Sequence, residues 1–214
     1  MTSTHDTDCM IRALARQAGA RQSAPSEGAA LAVGVVLSLA SAVALALLLF
    51  GVREAGLNAT LASGAFHFKL AAMLTLAASG VLLARAAGRP AARARLFLYG
   101  LPAAAILLLG AATDASGLSV FGASSVSVPS CIAGIVVLSL PGLGAILAAM
   151  RQGVPTRPVF AGVVAGMLAG ATGGAAYAIV CKNDAALFVA VWYVLAISLV
   201  AGLGAMIGRK ALAW

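Results

Sequence analysis

The chain has 214 residues, of which 62% are hydrophobic and only 9% are charged, and its formal net charge is +8. Soluble domains are about 45–50% apolar and about 25% charged, so this composition excludes a water-soluble globule, and it excludes a disordered chain for the same reason. A membrane-spanning helix needs roughly 20 apolar residues. The length therefore accommodates six spans and leaves little sequence for a separate soluble domain.

Six apolar runs follow a polar N-terminal segment. The composition and these runs together predict an all-α fold, a bundle of six transmembrane helices in the lipid bilayer. The chain then divides into an N-terminal tail at residues 1–28, a membrane domain at 29–208 and a short C-terminal segment at 209–214. The predicted spans are Ala29–Phe50, Phe66–Ala84, Leu96–Thr113, Val128–Met150, Val159–Val180 and Ala185–Gly208.

The positive charges indicate the orientation of these spans. If the N-terminus is cytoplasmic, eleven of the 14 Lys and Arg residues lie on the cytoplasmic side, and only Arg53, Lys69 and Lys182 lie on the outer side. Cytoplasmic loops of membrane proteins carry such an excess of Lys and Arg. The sequence therefore predicts that both termini are cytoplasmic. Because topology accounts for the basic charge, we expect no direct binding of nucleic acid.

The N-terminal tail contains a segment with helical periodicity between Asp8 and Gly19. Its apolar side chains fall on one arc at 100° per residue, and its two arginines fall on the opposite side. Thr7 or Asp8 is a suitable N-cap, and Gly19 is a suitable end. The pattern predicts an amphipathic helix that either lies on the membrane surface or docks a cytosolic partner. The apolar arc consists of Met10, Ile11, Leu14, Ala15 and Ala18.

The spans lack the groups that transport and catalysis usually require. No Asp, Glu, Lys or Arg falls in the middle of a predicted span, and Lys69, Asp114 and Asp184 are expected at outer span ends, within reach of water. Catalytic motifs such as paired carboxylates, a nucleophile elbow or HExxH are not present in the sequence. We therefore predict that the protein is not an enzyme and uses no cofactor.

Two of the three cysteines are predicted to lie at similar depth on the outer side of the membrane. Cys131 is at the outer start of the fourth span and Cys181 at the outer end of the fifth, whereas Cys9 faces the cytosol. Disulfides persist on the oxidising side, but a bridge requires Cα atoms within about 7 Å. The two residues are therefore either a functional pair or two unrelated small apolar side chains.

The fifth predicted span carries glycine at every fourth position, which places a stripe of small residues on one face. Such a stripe allows another helix to approach closely. The pattern favours helix packing within the chain over a homodimer face, and it leaves the oligomeric state open. The stripe consists of Gly162, Gly166, Gly170 and Gly174.

The order and spacing of several short motifs resemble those of the NrsF family, the negative regulators of sigma F. The resemblance extends over nearly the whole chain and includes the amphipathic N-terminal segment and the glycine stripe. The remaining motifs are Gly51-Val-Arg53, Phe66-His-Phe-Lys69, Ser130-Cys131, Pro141, Arg151-Gln-Gly-Val-Pro155 with Pro158, Tyr177-Ala-Ile-Val-Cys181, Asp184-Ala-Ala-Leu-Phe188, Trp192-Tyr193 and Trp214.

The resemblance implies an anti-sigma factor of the bacterial inner membrane. In this interpretation the N-terminal tail binds an extracytoplasmic-function sigma factor, and an outer stimulus, oxidative or a thiol-reactive metal, acts on Cys131 and Cys181 to release it. Many relatives carry His directly before the second cysteine and an acidic residue soon after it, whereas this chain has Val180 there and Lys182-Asn183 before Asp184. This departure argues against a preformed Cys/His metal site, and whether the two cysteines bind a metal is left open. The alternatives are a small-solute transporter or exporter and a membrane thiol oxidoreductase. The missing midplane charges and the missing close dithiol motif argue against them.

Overall fold

The computed structural model describes residues 3–20, 27–51, 56–87, 96–122, 128–153, 155 and 157–213. Within these ranges all regular secondary structure is helical, which confirms the predicted fold class. The nine α-helices of the described ranges are α1 (Ser3–Ala20), α2 (Glu27–Phe50), α3 (Leu57–Ala62), α4 (Gly64–Ala87), α5 (Leu96–Ala112), α6 (Val128–Met150), α7 (Pro158–Val180), α8 (Ala186–Phe188) and α9 (Val194–Ala211). Several predicted features fall outside the described ranges, namely Arg21, Arg53, Arg89, Arg93, Arg95 and Trp214.

Five of the described helical segments are long and apolar enough to cross a membrane. They are α2, α4, α6, α7 and the last segment, in which α8, a π-helical segment at Val189–Tyr193 and α9 follow one another without a break. The sixth, α5, has 17 residues. At 1.5 Å per residue it is about 25 Å long, a little shorter than a hydrocarbon core of roughly 30 Å. The helix count thus agrees with six predicted spans, of which the third is the shortest.

The N-terminal helix is longer than the periodicity predicted. Helix α1 begins at Ser3 and continues through Gly19 to Ala20. The prediction that Thr7 or Asp8 caps its start and that Gly19 ends it is therefore wrong. Adding a residue to an existing helix is much less costly than nucleating one, which accounts for the extra turn at the start of α1.

Helix α7 is the centre of the bundle. It packs against α2, α4, α6 and α9, and most of its residues are buried. Its small side chains explain this position, because Gly and Ala let neighbouring backbones approach. On the face next to α9, a Cβ atom added to Gly162 would overlap the carbonyl oxygen of Gly204, and one added to Gly166 would overlap that of Val200.

At the other two glycines of the stripe, the nearest atom of the neighbouring helix belongs to a side chain. A Cβ atom on Gly170 would lie 3.1 Å from Cγ2 of Ile197, and one on Gly174 would lie 2.9 Å from Sδ of Met73 in α4. The stripe therefore faces two different helices of the same chain. Its C-terminal end, at Gly174, adjoins the part of the bundle that contains Cys131 and Cys181.

Candidate functional site

Cys131 and Cys181 lie together in one buried group of side chains, the cysteine cluster, at the end of the bundle where α6 begins and α7 ends. Cys131 is in the first turn of α6, and Cys181 follows the last residue of α7. Both side chains are buried, and the two thiols are within hydrogen-bonding reach of each other. All three cysteines of the chain are free, including Cys9, which is exposed on α1. The structure thus brings together the two residues that the sequence placed at similar depth.

Two tyrosines line the same cluster. The hydroxyl of Tyr177 is beside the Cys131 thiol, and that of Tyr193 is beside the Cys181 thiol. The tyrosine rings are also close, with centroids 6.1 Å apart. The π-helical segment ends at Tyr193, and its wider turn is a feature often found at functional sites. Sequence reasoning missed both tyrosines, although each belongs to one of the motifs that resemble the NrsF family.

A buried lysine reaches this cluster from α4. The Lys69 side chain is 1% exposed, and its Nζ atom donates to Oδ1 of Asp184 at 3.0 Å and to the backbone oxygen of Cys181 at 3.5 Å. The prediction that Lys69 reaches water from its span end is therefore wrong. Burying an ammonium group is costly unless it is paired, and Asp184 supplies that pairing.

The electrostatic surroundings of Cys181 favour its deprotonated form. The hydrogen bond with the Cys131 thiol lowers the pKa of the Cys181 thiol, and the Lys69 ammonium acts in the same direction, whereas burial opposes both. The thiolate is the nucleophilic form of cysteine. These surroundings therefore favour the nucleophilic form at Cys181.

A short segment after α5 packs against the residues that follow α7, next to the cysteine cluster. Oδ2 of Asp114 accepts a hydrogen bond from the backbone N–H of Leu187 at 2.7 Å, which lowers the pKa of this carboxyl group. Further along, the indole N–H of Trp192 donates to the backbone oxygen of Val120 at 2.8 Å. Gly122 follows with φ of +75° and lies directly against the side chain of Asn183. These contacts hold residues 114–122 over the loop that carries Cys181.

The apolar arc of α1 is exposed along its described length. The exposed fractions of Met10, Ile11 and Leu14 are 67%, 57% and 59%, and Ala15 is exposed as well. Ala18 belongs to the same helix, but its side chain lies outside the described residues. Most of the stability of a helix in a protein comes from packing of its apolar face, and exposed large apolar side chains on one face mark an interaction surface. The geometry suits either a membrane surface or a protein partner.

The structure offers no further chemistry at this site within the described residues. No group of three or more His, Cys, Asp or Glu side chains that could hold a metal ion occurs in that part of the chain. The arrangement can instead undergo thiol chemistry, either alkylation or oxidation of the two cysteines to a disulfide.

The chain is similar to two curated anti-sigma factors. It is 33% identical to the probable anti-sigma-F factor NrsF of Azospira oryzae over 216 aligned residues, which cover 97% of this chain and 99% of the relative. It is 36% identical over 85 residues to the anti-sigma-F factor NrsF of Caulobacter vibrioides, with 40% of each chain covered. No solved structure matches the chain significantly.

The model of the family described as NrsF, negative regulator of sigma F, matches residues 14–214. This match contains Cys131 and Cys181, the lysine that reaches them and the whole helical bundle. Together with the relative that aligns over nearly the full length, it confirms the resemblance seen in the motifs. The chain therefore belongs to the NrsF family.

Proposed function

We propose that the protein is a membrane-bound anti-sigma factor that holds an extracytoplasmic-function sigma factor at the bacterial inner membrane. Membership of the NrsF family and the names of both relatives support a regulator of a sigma factor. The single observation that carries the binding mode is the exposed apolar face of α1, formed by Met10, Ile11 and Leu14. An amphipathic helix presented in this way fits the groove of a protein partner.

The orientation is part of the proposal. The excess of Lys and Arg on one side supports cytoplasmic termini, which would place α1 where a sigma factor can reach it. A sigma factor bound to α1 is kept away from RNA polymerase, so its target genes are silent. This role requires binding and release but no catalysis.

Release is proposed to follow oxidative or thiol-reactive stress at Cys131 and Cys181. Formation of a disulfide removes two protons and two electrons from the two thiols, and a hydroperoxide that accepts them is reduced to water and an alcohol. The bond would join the start of α6 to the end of α7. Because α7 contacts α2, α4, α6 and α9, a shift at its outer end is communicated to most of the bundle.

Purification from solubilised membranes tests the proposed partner. The tagged protein should retain an extracytoplasmic-function sigma factor in detergent under reducing conditions, at close to a one-to-one ratio, as identified by mass spectrometry. A matched control lacking residues 1–20 should retain none while keeping the bundle. Retention of the sigma factor by the truncated protein would contradict the docking role of α1, and its absence from both preparations would contradict the proposed function.

A further inference from the structure

Lys69 is the one charged group that enters the buried cluster from within the described part of the bundle. Its partner Asp184 is 42% exposed, so the carboxylate is partly solvated and neutralises the ammonium only in part. A lysine at a span end usually extends its side chain toward water. Here the Nζ atom instead faces the backbone oxygen of Cys181. Its position therefore suggests a second negative charge inside the protein.

The thiol pair is suited to carry that charge. Cys131 lies in the first turn of α6, where the free N–H groups and the helix dipole favour an anion. Cys181 lies at the end of α7, where the dipole disfavours an anion, but Lys69 is next to it. A negative charge shared between two hydrogen-bonded sulfur atoms is thus stabilised from both sides.

A buried hydroxyl group provides a further observation. Oη of Tyr193 is buried and has no well-formed hydrogen bond to any residue that the structure describes, although it is beside the Cys181 sulfur. A buried hydroxyl without an acceptor is unfavourable, and a thiolate would supply a strong acceptor. The hydroxyl of the second phenol, Tyr177, is within hydrogen-bonding reach of the Cys131 thiol.

Other groups facing the pair do not supply an alternative cation. Helices α2 and α5 contain no Lys, Arg or His, and they contribute Ala42, Ala46, Ile106 and Leu107 to the packing around the pair. Asp184 is an anion, and Tyr177 and Tyr193 are neutral donors. Lys182 is next to Cys181 in the sequence, but its side chain is exposed.

We infer that Lys69 is the counter-ion of a single negative charge shared by Cys131 and Cys181, and is therefore the positioning residue that sets how readily this pair reacts. The inference deepens the proposed sensing role and rests on it for its biological meaning. With Lys69 in place the pair contains a nucleophile at neutral pH, so it reacts with electrophiles and oxidants although it is buried.

Alkylation kinetics test this role in the purified full-length protein. In a Cys9→Ser background, iodoacetamide labelling of Cys131 and Cys181 is followed by mass spectrometry between pH 5 and pH 10. An opposite charge within about 4–6 Å shifts a titration by 1–3 pH units. Lys69→Met should therefore move the inflection of the rate profile up by about one unit or more and slow labelling at pH 7 roughly tenfold. Lys69→Arg keeps the positive charge and should therefore keep the rate profile of the parent protein.

Two further variants separate the effect of Lys69 from that of nearby surface charge and from unfolding. Lys182→Met removes an exposed lysine beside Cys181 and should leave the profile unchanged. Asp184→Asn removes the competing carboxylate and should move the inflection down, opposite to Lys69→Met. Unfolding of Lys69→Met would expose the thiols and speed labelling, so it cannot imitate the expected slowing. If Lys69→Met does unfold, the Asp184→Asn profile tests the counter-ion role instead. Unchanged profiles in both variants, or equal shifts in Lys69→Met and Lys182→Met, would overturn the inference.

The outcome also separates this inference from the proposed function. Labelling does not involve the sigma factor. If the profiles shift as expected but stress still releases the sigma factor in a Cys131→Ser protein, the counter-ion role stands and the sensing role is wrong. If release depends on the cysteines and the profiles do not shift, the sensing role stands and the role of Lys69 is wrong.

Discussion

Helix α1 and the cysteine cluster invert the usual distribution of side chains in opposite ways. Helix α1 exposes Met10, Ile11 and Leu14, whereas the cysteine cluster buries Lys69 and two thiols. Covering exposed apolar groups with a partner lowers the free energy of the system. Burial of titratable groups shifts their pKa values, because water is excluded and nearby charges act more strongly. On the proposed function, α1 is the binding region and the cysteine cluster is the responsive region, and the helical bundle lies between them in the described part of the chain.

The largest expected effect is on binding at α1. Replacing Met10 and Leu14 with Asp puts charge into an apolar contact, where central residues contribute about 2 kcal/mol or more, equivalent to roughly a thirtyfold loss of affinity. The sigma factor should then be active without stress, measured with a reporter gene. The Arg12→Ala, Arg16→Ala protein is the control on the opposite face of α1, and it should lose less repression of the reporter gene. Full repression by the Met10→Asp, Leu14→Asp protein at normal levels would refute the docking role.

The second prediction concerns the responsive region. Cys131→Ser and Cys181→Ser should each remove the response of the same reporter to a thiol oxidant, and the double variant should behave like either single one because the pair acts as a unit. Cys9→Ser, on exposed α1, should respond normally. A normal response in the double variant would return both cysteines to ordinary packing residues.

The third prediction concerns the connection between the regions. Gly166→Leu forces a side chain into the backbone of α9, where a Cβ atom would lie 2.6 Å from Cα of Ala201. Overpacking costs about 1–3 kcal/mol, so the thermal midpoint in detergent should fall clearly. Gly144→Leu is the matched control, since nothing lies within 4 Å of a Cβ atom there. Equal midpoints in the two variants would show that α7 and α9 do not pack as described.

The smallest effect is expected from a single polar contact between α2 and α7. Oγ of Ser38 and Oγ1 of Thr172 are 2.7 Å apart in the buried interior. Hydrogen bonds between membrane helices contribute about 0.6 kcal/mol on average, so Ser38→Ala should lower the free energy of unfolding by about that amount. Ser198→Ala is the control, because that hydroxyl bonds to Val194 of its own helix and is exposed. A larger loss from Ser198→Ala would contradict the assigned contact.

Hydropathy was sufficient to predict the spans, because a long apolar run has few alternatives to a membrane helix. The meeting of Cys131 and Cys181 was suggested by topology, which placed both at the same depth. The burial of Lys69 was not predictable in this way. Its partner Asp184 is 115 residues away in the chain, and only the packing of α4 against α7 brings the two together. The π-helical segment that ends at Tyr193 has no sequence pattern of its own.

The measurement that tests the central claim most directly is the release of the sigma factor from the purified complex. The full-length protein in detergent, immobilised with its sigma factor bound, is treated with a hydroperoxide, and the dissociated sigma factor is quantified over time. The account predicts rapid dissociation from the parent protein, its reversal by a dithiol reductant, and none above background from the Cys131→Ser, Cys181→Ser protein. Equal dissociation from both proteins, or none from either, would contradict the account.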